Sequence, residues 1–243
     1  MGFQLESGFT SVWKGKRNRK ELDKGGNEKM IIDPLNMTAK QNYKLLIGSV
    51  VPRPIAWVST MSSDGIANLA PFSFFTVVSR NPPMLAFSVG EGVEGRTGTV
   101  KDTLQNVREN KEFVINIVTA ALANEMAKSG EHVAREIDEF DYAGLTAAES
   151  IEVSAPRVLE APINMECKLH DIIQLGDDHL VIGKLVKFHV KDELYENGRI
   201  NLEKLAPIGR LAGNYAPVET IFSLPIEQLD EILKAPVDKS RNQ

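Results

Sequence analysis

A short run of cationic and hydroxyl-bearing residues is the clearest candidate for binding chemistry in this sequence. A helix is predicted to begin inside the run, over Asp102 to Asn110, with Asp102 or Thr103 as its cap. Unpaired N–H groups and the helix dipole attract anions at such an end, and basic side chains add charge. The pattern indicates a site for one phosphate group, although the negative charge of Asp102 disfavours phosphate binding. The alternative is a plain capped helix without a ligand. The run consists of Arg96, Thr97, Thr99, Lys101 and Thr103.

A glycine-rich motif, Gly-x-Gly-x-x-Gly, precedes this run at residues 90–95 and follows a predicted strand. A dinucleotide-binding motif of this form requires a helix that opens within it and an acidic residue at the end of the next strand. Here the helix begins later, and the next predicted strand, Phe113 to Val118, ends without an acidic residue. Glu91 and Glu94 would also repel a pyrophosphate. We therefore interpret residues 90–98 as a loop.

The sequence contains few residues in patterns typical of metal sites or of nucleophilic catalysis. None of the four histidines has an H-x-x-x-H spacing, so no metal site is predicted. The acidic residues that follow His132, namely Asp138, Glu139 and Asp141, are interpreted as a solvated surface. The single cysteine, Cys167, alternates with apolar residues along a predicted strand, which predicts a packed core thiol with Glu166 on the opposite face.

Strands dominate the elements that must position these residues. Tight turns join most of them, and no regular β-α-β alternation is present, so the order favours an antiparallel barrel with added helices. Pro71 indicates an edge or a bulge, because proline cannot donate to a strand ladder. Strands are predicted over Ile55–Met61, Ile66–Val78 (one or two), Met84–Val89 and Phe113–Val118, a long hairpin over Asn164–Leu175 and His179–Val190, and helices over Asp102–Asn110, Thr119–Ser129 and Glu219–Lys234.

Charge divides the chain between a short head and an acidic body. The net charge of the 243 residues is −5, and residues 1–29 carry seven Lys or Arg against four Asp or Glu. The acidic remainder does not suit the neutralisation of phosphates, so no nucleic-acid partner is expected. We expect residues 1–29 to be a disordered head, with a nucleic-acid or membrane arm as the alternative. The sequence at Met30 also suggests that this head is upstream sequence translated in frame, and residues 30–243 are expected to form one domain with a C-terminal helical segment.

Composition also bears on the compartment. Hydrophobic residues make up 42% of the chain and charged residues 25%, which is typical of a folded soluble protein. No stretch approaches ~18 consecutive apolar residues, and the first thirty residues lack an apolar signal region. One cysteine cannot form an internal disulfide, which fits a reducing compartment. We therefore expect a cytoplasmic protein without a membrane partner.

Six short motifs follow one another along most of the chain. They are Val51-Pro-Arg-Pro-Ile-Ala-Trp-Val-Ser-Thr60, Asp64-Gly65, Asn68-Leu-Ala-Pro-Phe-Ser-Phe-Phe75, Asn81-Pro-Pro-Met-Leu85, Lys101-Asp-Thr103 with Asn106, and Glu112-Phe-Val-Ile-Asn116. Between about Lys44 and Tyr215 the chain resembles the flavin reductase-like family, and most of all its flavoredoxin-type branch. The resemblance implies that family's FMN-binding split β-barrel, a mainly β fold with added helices, which agrees with the antiparallel barrel expected from the strands.

The resemblance also implies where FMN lies, because family members bind it at a dimer interface between barrel strands and a helix N-terminus. It places residues 57–60 along the flavin, and Asn68, Ala70 and Pro71 along the edge of its ring, with Ser73 and Phe74 following them. Ser88 would lie near the ribityl chain, and residues 101–103 at the phosphate or ribityl end. Tyr215 is expected to cover the flavin from the partner subunit. No side chain is assigned to the chemical step. The implied cofactor-binding residues are Trp57, Ser59, Thr60, Asn68, Ala70, Pro71, Ser73, Phe74, Ser88, Lys101, Asp102, Thr103 and Tyr215.

The function that the resemblance implies is hydride transfer from NADH or NADPH to flavin N5, in an NAD(P)H:flavin oxidoreductase that acts as a homodimer. A monooxygenase or another acceptor would receive the electrons. Two alternatives stay open: a flavoredoxin-like FMN electron carrier, and a flavin-binding module without turnover. The sequence does not distinguish NADH from NADPH, nor a bound FMN cofactor from an FMN substrate.

Overall fold

The structure is a computed structural model, and it describes residues 19–22, 26, 28–90, 92 and 101–222. The chain divides into two compact units, residues 1–50 and residues 51–243. The division falls after Val50. The boundary expected from the sequence at residues 29/30 stays a prediction. None of the helices in these described ranges is long and apolar enough to cross a membrane.

The described part of the first unit contains a strand pair, a 3-10 turn (Pro34–Asn36) and an α-helix. Strands β1 (Arg19–Leu22) and β2 (Glu28–Ile31) pair antiparallel. Helix α1 (Ala39–Ser49) begins at a capping box, in which Thr38 Oγ1 accepts from the Gln41 N–H and the Gln41 side chain accepts from the Thr38 N–H. This reciprocal pair satisfies two of the donors that a helix N-terminus leaves unpaired.

The second unit is built on one seven-stranded sheet with the strand order β4-β3-β7-β10-β11-β6-β5, in which every pairing is antiparallel. The antiparallel strands predicted from the sequence are confirmed, and the long apolar stretch after Gly65 forms two strands rather than one. The strands of the sheet are β3 (Ala56–Met61), β4 (Ala67–Phe72), β5 (Phe75–Arg80), β6 (Pro83–Val89), β7 (Glu112–Ile117), β10 (Ile163–Leu175) and β11 (Asp178–Val190).

The two margins of this sheet are joined by a very short link. Strands β4 and β5 lie at opposite ends of the strand order, yet only Ser73 and Phe74 separate them in the chain. The Ser88 N–H of β6 donates to the Phe74 carbonyl at 2.8 Å, which holds the link against the far margin. A flat sheet of seven strands cannot satisfy that connection, so the sheet rolls into a barrel.

Three helices of the second unit pack against strands β3 and β4. The predicted helix α2 (Asp102–Asn110) is confirmed. The helix predicted over Thr119–Ser129 is divided into a 3-10 turn, Ala120–Leu122, and α3 (Ala123–Ser129). The C-terminal helix predicted over Glu219–Lys234 lies largely outside the described residues. The remaining elements are α4 (Glu139–Ala143), α5 (Leu202–Leu205), β8 (Ala147–Ala148), β9 (Arg157–Val158), β12 (Tyr195–Glu196), β13 (Arg199–Ile200), β14 (Ile208–Arg210) and β15 (Tyr215–Pro217).

Alternating residues of β3 face two separate apolar cores. Val58 lies in the barrel core with Phe72, Phe87 and Phe113, and α2 contributes Leu104 and Val107 to that core. Trp57 lies in a second core, where Met126 of α3 and Phe140 and Ala143 of α4 pack. Burial of a side chain such as Phe140 contributes roughly 1.5–3 kcal/mol. These two packings fix the N-terminus of α2 and the α3–α4 pair relative to β4.

Strand β10 carries Cys167 inward, as predicted, and a buried acid beside it. Burial raises the pKa of the Cys167 thiol to about 12, with the charge of Glu166 as a second cause, which agrees with an inert core thiol. The alternation predicted that Glu166 lies on the face opposite the core residues, yet it is 0% exposed. Its carboxylate accepts from the Ile151 N–H at 2.9 Å and the Glu152 N–H at 2.6 Å, and His189 Nε2 lies 2.5 Å from it. It therefore ties the loop at residues 151–152 to the β10–β11 hairpin.

Replacement of Glu166 by Gln should lower stability at neutral pH by about 1–3 kcal/mol, because it weakens a buried charged acceptor. Burial raises the pKa of Glu166, but the Ile151 N–H, His189 and the Glu152 N–H outweigh it, so the pKa lies below its ordinary value. A carboxyl of lowered pKa stabilises the fold above its unfolded-state pKa, and that contribution disappears as the pH falls through the folded-state pKa. Urea unfolding at pH 7 and at pH 3 measures it, and a difference between wild type and variant that persists undiminished at pH 3 would contradict the assignment.

Candidate functional site

A pocket opens between β4, the N-terminus of α2 and the segment after α3, with a cavity volume of about 110 Å³. Six residues predicted to bind FMN line it together, although they come from segments about thirty residues apart in sequence. These six are Asn68, Ala70, Pro71, Lys101, Asp102 and Thr103. The other lining residues are Phe72, Ser129, Gly130, Glu131, His132, Val133 and Glu139.

The α2 end of the pocket has the character of an anion site. Lys101 is the N-cap residue of α2, and its side chain makes no capping hydrogen bond. The first-turn N–H groups therefore have no side-chain cap, and the helix dipole makes this end electropositive. Lys101 Nζ lies 5.6 Å from the centre of the Phe72 ring. Burial lowers the pKa of Lys101, and the charge of Asp178 opposes that change.

Asp102, whose negative charge disfavours an anion site in the sequence analysis, has a cationic neighbour. Arg135 Nη1 lies 3.7 Å from Asp102 Oδ1, and about a third of each side chain is exposed. Asp102 lies in the first turn of α2, where an acid interacts favourably with the dipole. Arg135 offsets the repulsion that Asp102 would exert on an anion beside Lys101.

Strand β4 supplies backbone groups along the pocket because it is an edge of the sheet. The Leu69 N–H points away from β3 and donates to Glu139 Oε2 at 3.0 Å. The N–H and C=O groups of successive residues in an antiparallel strand point alternately to the two sides of the strand. Pro71 lies two residues after Leu69, so its nitrogen and its carbonyl also point away from β3. Proline therefore costs no ladder bond here, as the sequence predicted for an edge, and its carbonyl is an acceptor on the pocket side.

The side chain of Asn68 is held inside a buried polar network. Its Oδ1 accepts from Thr60 Oγ1 at 3.1 Å and from Thr103 Oγ1 at 2.8 Å. Its Nδ2 donates to the two carboxylate oxygens of Glu139 at 2.9 and 2.8 Å. Asn106 Nδ2 donates in turn to Thr60 Oγ1 at 3.0 Å. The network joins α2, β3, β4 and α4. Asn68, Thr103 and Glu139 line the pocket, and Thr60 and Asn106 lie behind them.

Glu139 is the site residue that the sequence analysis missed. We interpreted it as part of a solvated acidic surface, and that interpretation is wrong for Glu139, which is only 9% exposed. The cause is that α4 packs Phe140 into the second core and brings the preceding residue against β4. Burial raises the pKa of Glu139 to about 7, the hydrogen bonds from Leu69 and Asn68 oppose the rise, and the charge of Asp102 adds to it. Nothing in the acidic run distinguishes Glu139 from Asp138 or Asp141.

Three of the predicted residues, all on β3, lie behind the pocket rather than on its lining. Trp57, Ser59 and Thr60 are each 0% exposed. Trp57 Nε1 donates to Ser129 Oγ at 2.9 Å, so it supports a lining residue. Ser59 Oγ donates to the Pro156 carbonyl at 2.5 Å. Their predicted contact with a cofactor stays a prediction, and their side chains already have partners within the chain.

The remaining four predicted residues lie outside this pocket. Ser73, Phe74 and Ser88 lie at the β4–β5 link, and Tyr215 lies beside Arg210. Arg53 Nε donates to Ser73 Oγ at 3.4 Å, and its guanidinium carbon lies 5.8 Å from the centre of the Phe74 ring. Ser88 bonds to the link through its N–H. Arg53 pairs with Arg210 through backbone hydrogen bonds, and the Arg210 guanidinium carbon lies 4.3 Å from the centre of the Tyr215 ring. Most of the Gly90–Gly98 loop, with Arg96, Thr97 and Thr99, lies outside the described residues.

The sequence of this chain is similar to a known family over most of its length. A profile described as "Flavin reductase like domain" matches residues 47–207. An Aquifex aeolicus protein of uncharacterised function is 47% identical over 174 residues, which span 71% of this chain and 87% of the relative.

Three solved structures are similar to this fold. Nitrilotriacetate monooxygenase component B from Bacillus cereus has 41% identity and a TM-score of 0.77, with 82% of this chain and 100% of that chain covered. The Pseudomonas fluorescens 2-nitrobenzoate 2-nitroreductase NbaA has 33% identity and a TM-score of 0.73, with coverages of 81% and 95%. A Shewanella frigidimarina protein with a split barrel domain has 18% identity and a TM-score of 0.69, with coverages of 85% and 98%. The antiparallel split barrel expected from the sequence is confirmed.

Proposed function

Because the chain belongs to the flavin reductase like domain family, we propose that it is an FMN-dependent oxidoreductase of the NAD(P)H:flavin reductase type. The observation that carries the proposal is the joining of Lys101, the N-terminus of α2 and the outer edge of β4 in one pocket. A cationic helix end matches a phosphate, and an edge strand with apolar and carbonyl groups matches a planar polar ring. The residues present therefore fit a flavin mononucleotide.

Each part of the pocket has a separate role in this proposal. Lys101 and the first-turn N–H groups of α2 bind the phosphate. Thr103 contributes its backbone N–H, because its hydroxyl donates to Asn68 Oδ1. The Pro71 carbonyl accepts from the ring N–H, while Ala70 and Phe72 exclude water from the ring. When bound, FMN supplies the hydride-accepting chemistry, so the protein needs only to bind, orient and shield. This agrees with the absence of an assigned catalytic side chain.

A homodimer with FMN at the interface completes the proposal. The pocket volume of about 110 Å³ is well below the roughly 300–1,000 Å³ of ordinary small-molecule sites. The described residues of one chain therefore enclose only part of the cofactor. Tyr215 is 40% exposed and does not line the pocket of its own chain, which supports a role for it on the FMN of a second copy. Light scattering after gel filtration should give twice the chain mass.

The relatives support an electron acceptor outside this chain. The name of the Bacillus cereus relative, a monooxygenase component, supports delivery of reduced flavin to a monooxygenase partner. The name of the Pseudomonas fluorescens relative supports direct reduction of a small acceptor as the other route. NADH and NADPH are both retained as electron donors.

The test is an anaerobic titration of the purified full chain with FMN, followed by NADH and then by NADPH. We expect FMN to bind and its visible absorption band to bleach at a catalytic rate with one of the two nucleotides. Bound FMN that bleaches with dithionite but with neither nucleotide would replace this proposal by a flavoredoxin-like electron carrier. A protein without affinity for FMN would overturn both.

A further inference from the structure

The Glu139 carboxyl is the terminal acceptor of the polar network at the pocket wall. Asn106, Thr60 and Asn68 each donate to the next member, and Glu139 receives the last two bonds. The Leu69 N–H also donates to it, at 3.0 Å. Because the hydroxyls of Thr60 and Thr103 fix the Asn68 oxygen, the Asn68 amide must present its N–H groups to Glu139. The network can therefore hold Glu139 as a carboxylate.

The same surroundings can also hold Glu139 as a neutral acid. Asn106 is 1% exposed, and its Oδ1 has no hydrogen-bond partner in the part of the chain that the structure describes. Asn106 and Glu139 line a common cavity of about 10 Å³. A cavity of about that size accommodates one water molecule. A protonated Glu139 therefore shares a cavity that can hold one water molecule with a buried acceptor that has no partner in the described structure.

The charges around Glu139 are mixed, and most of them are negative. Asp102 raises its pKa, and Arg135 pairs with Asp102 at 3.7 Å. Because burial is the largest cause of a pKa of about 7, any further desolvation or negative charge favours the neutral acid. The other charged and titratable groups nearby are Lys101, Glu131 and His132 on the pocket lining, and Asp138 and Asp141 next to Glu139 in sequence.

We propose that Glu139 takes up one proton from solvent when FMN binds, so that its carboxylate becomes a carboxylic acid in the complex. The inference rests on the proposed function. The ligand brings the negative charge of a phosphate and displaces water from the pocket wall, and both changes favour the neutral form of the carboxyl. The step transfers one proton and no electrons.

The direction of the pH dependence follows from this exchange. At pH values well below 7, Glu139 is already protonated in the free protein, so FMN binding takes up almost no further proton. Above pH 7 a proton must be bound together with the ligand, and affinity falls by up to about tenfold per pH unit. Between pH 6 and pH 8 the dissociation constant for FMN should therefore rise by about tenfold through Glu139 alone. The phosphate of FMN titrates in the same range, but it does so equally in every variant.

Calorimetry of FMN binding to the full chain tests the proposal, in two buffers with different heats of ionisation. We expect wild type to take up close to one proton at pH 8, and Glu139→Gln to take up none and to lose the tenfold pH effect relative to wild type. The matched control is Glu136→Gln, an exposed acid three residues before Glu139 that does not line the pocket, which should keep the wild-type proton uptake. Equal proton uptake by Glu139→Gln and wild type would overturn the inference.

A second measurement on wild type avoids dependence on the variant's fold. Infrared difference spectra recorded at pH 8 should show a protonated-carboxyl C=O band that appears when FMN is added. A spectrum without that band, in a sample where FMN binds, would overturn the inference and leave the proposed function intact. Failure of wild type to bind FMN at pH 6, where Glu139 is already protonated, would instead overturn the proposed function.

Discussion

Lys101→Ala should weaken the binding of FMN by about ten- to a hundredfold. Hydrogen bonds to charged groups contribute about 1.5–3 kcal/mol, and each 1.4 kcal/mol is about a factor of ten in affinity. The lost binding energy should come from the contact with the phosphate. The substitution removes only the lysine charge, and the N-terminus of α2 keeps its dipole and its N–H groups. Fluorescence titration with FMN measures the change, since binding alters the emission of the flavin.

Riboflavin, which lacks the phosphate, separates this role from a general loss of structure. We expect the affinity of Lys101→Ala for riboflavin to stay near the wild-type value. Lys184→Ala is the matched control, because Lys184 is an exposed lysine on β11 and does not line the pocket. Equal losses of FMN and riboflavin affinity would show that Lys101 supports the ring or the fold rather than the phosphate.

Gly183→Ala should destabilise the protein by about 3 kcal/mol, at the upper end of the usual overpacking range. A Cβ atom at Gly183 would lie 2.3 Å from Phe113 Cζ and 3.1 Å from Cys167 Cβ. Phe113 is 0% exposed and packs edge-on against Phe87 at 5.3 Å between ring centres, so its ring has no space to retreat. At roughly 2–4 °C per kcal/mol for a chain of this length, the melting temperature should fall by about 6–12 °C.

The matched control for this prediction is Gly213→Ala. A Cβ atom there has no neighbour within 4 Å in the described structure, so the melting temperature should change little. The background variant Phe113→Leu removes the ring edge that the added methyl would strike. Gly183→Ala should therefore cost less in the Phe113→Leu background than in wild type. An equal cost in both backgrounds would show that the strain arises elsewhere.

The barrel could be predicted from the sequence because its strands are specified locally. The β-branched and aromatic segment before Met61, the Asp64-Gly65 turn and the long hairpin each carry a short-range pattern, and the structure contains all three. The edge position of β4 could be predicted from Pro71 alone, because a proline lacks the N–H that an inner strand needs. The anion site at Lys101 also depends on a local pattern, the start of a helix.

The buried acids could not be predicted, because their environment is supplied by distant residues. Glu139 bonds to Asn68, seventy-one positions earlier, and Glu166 bonds to His189 across a hairpin. Within a run such as Asp138, Glu139 and Asp141, the residue types are equivalent, and only the docking of α4 decides which one is buried. Local alternation likewise assigned Glu166 to the face opposite the core, where the loop at residues 151–152 covers it.

The two-residue link at Ser73 and Phe74 restricts how this chain can change in length. An inserted residue there would separate the two margins of the sheet and alter the β4 wall of the pocket together with the closure of the barrel. The turn at Asn197-Gly198, which joins β12 to β13 and has φ angles of 51° and 79°, bears no such constraint, and both of its residues are exposed. Exposed turns of this kind tolerate added chain. A peptide tag or a fluorescent reporter for engineering work therefore belongs at Asn197-Gly198, and the link should be left at its present length.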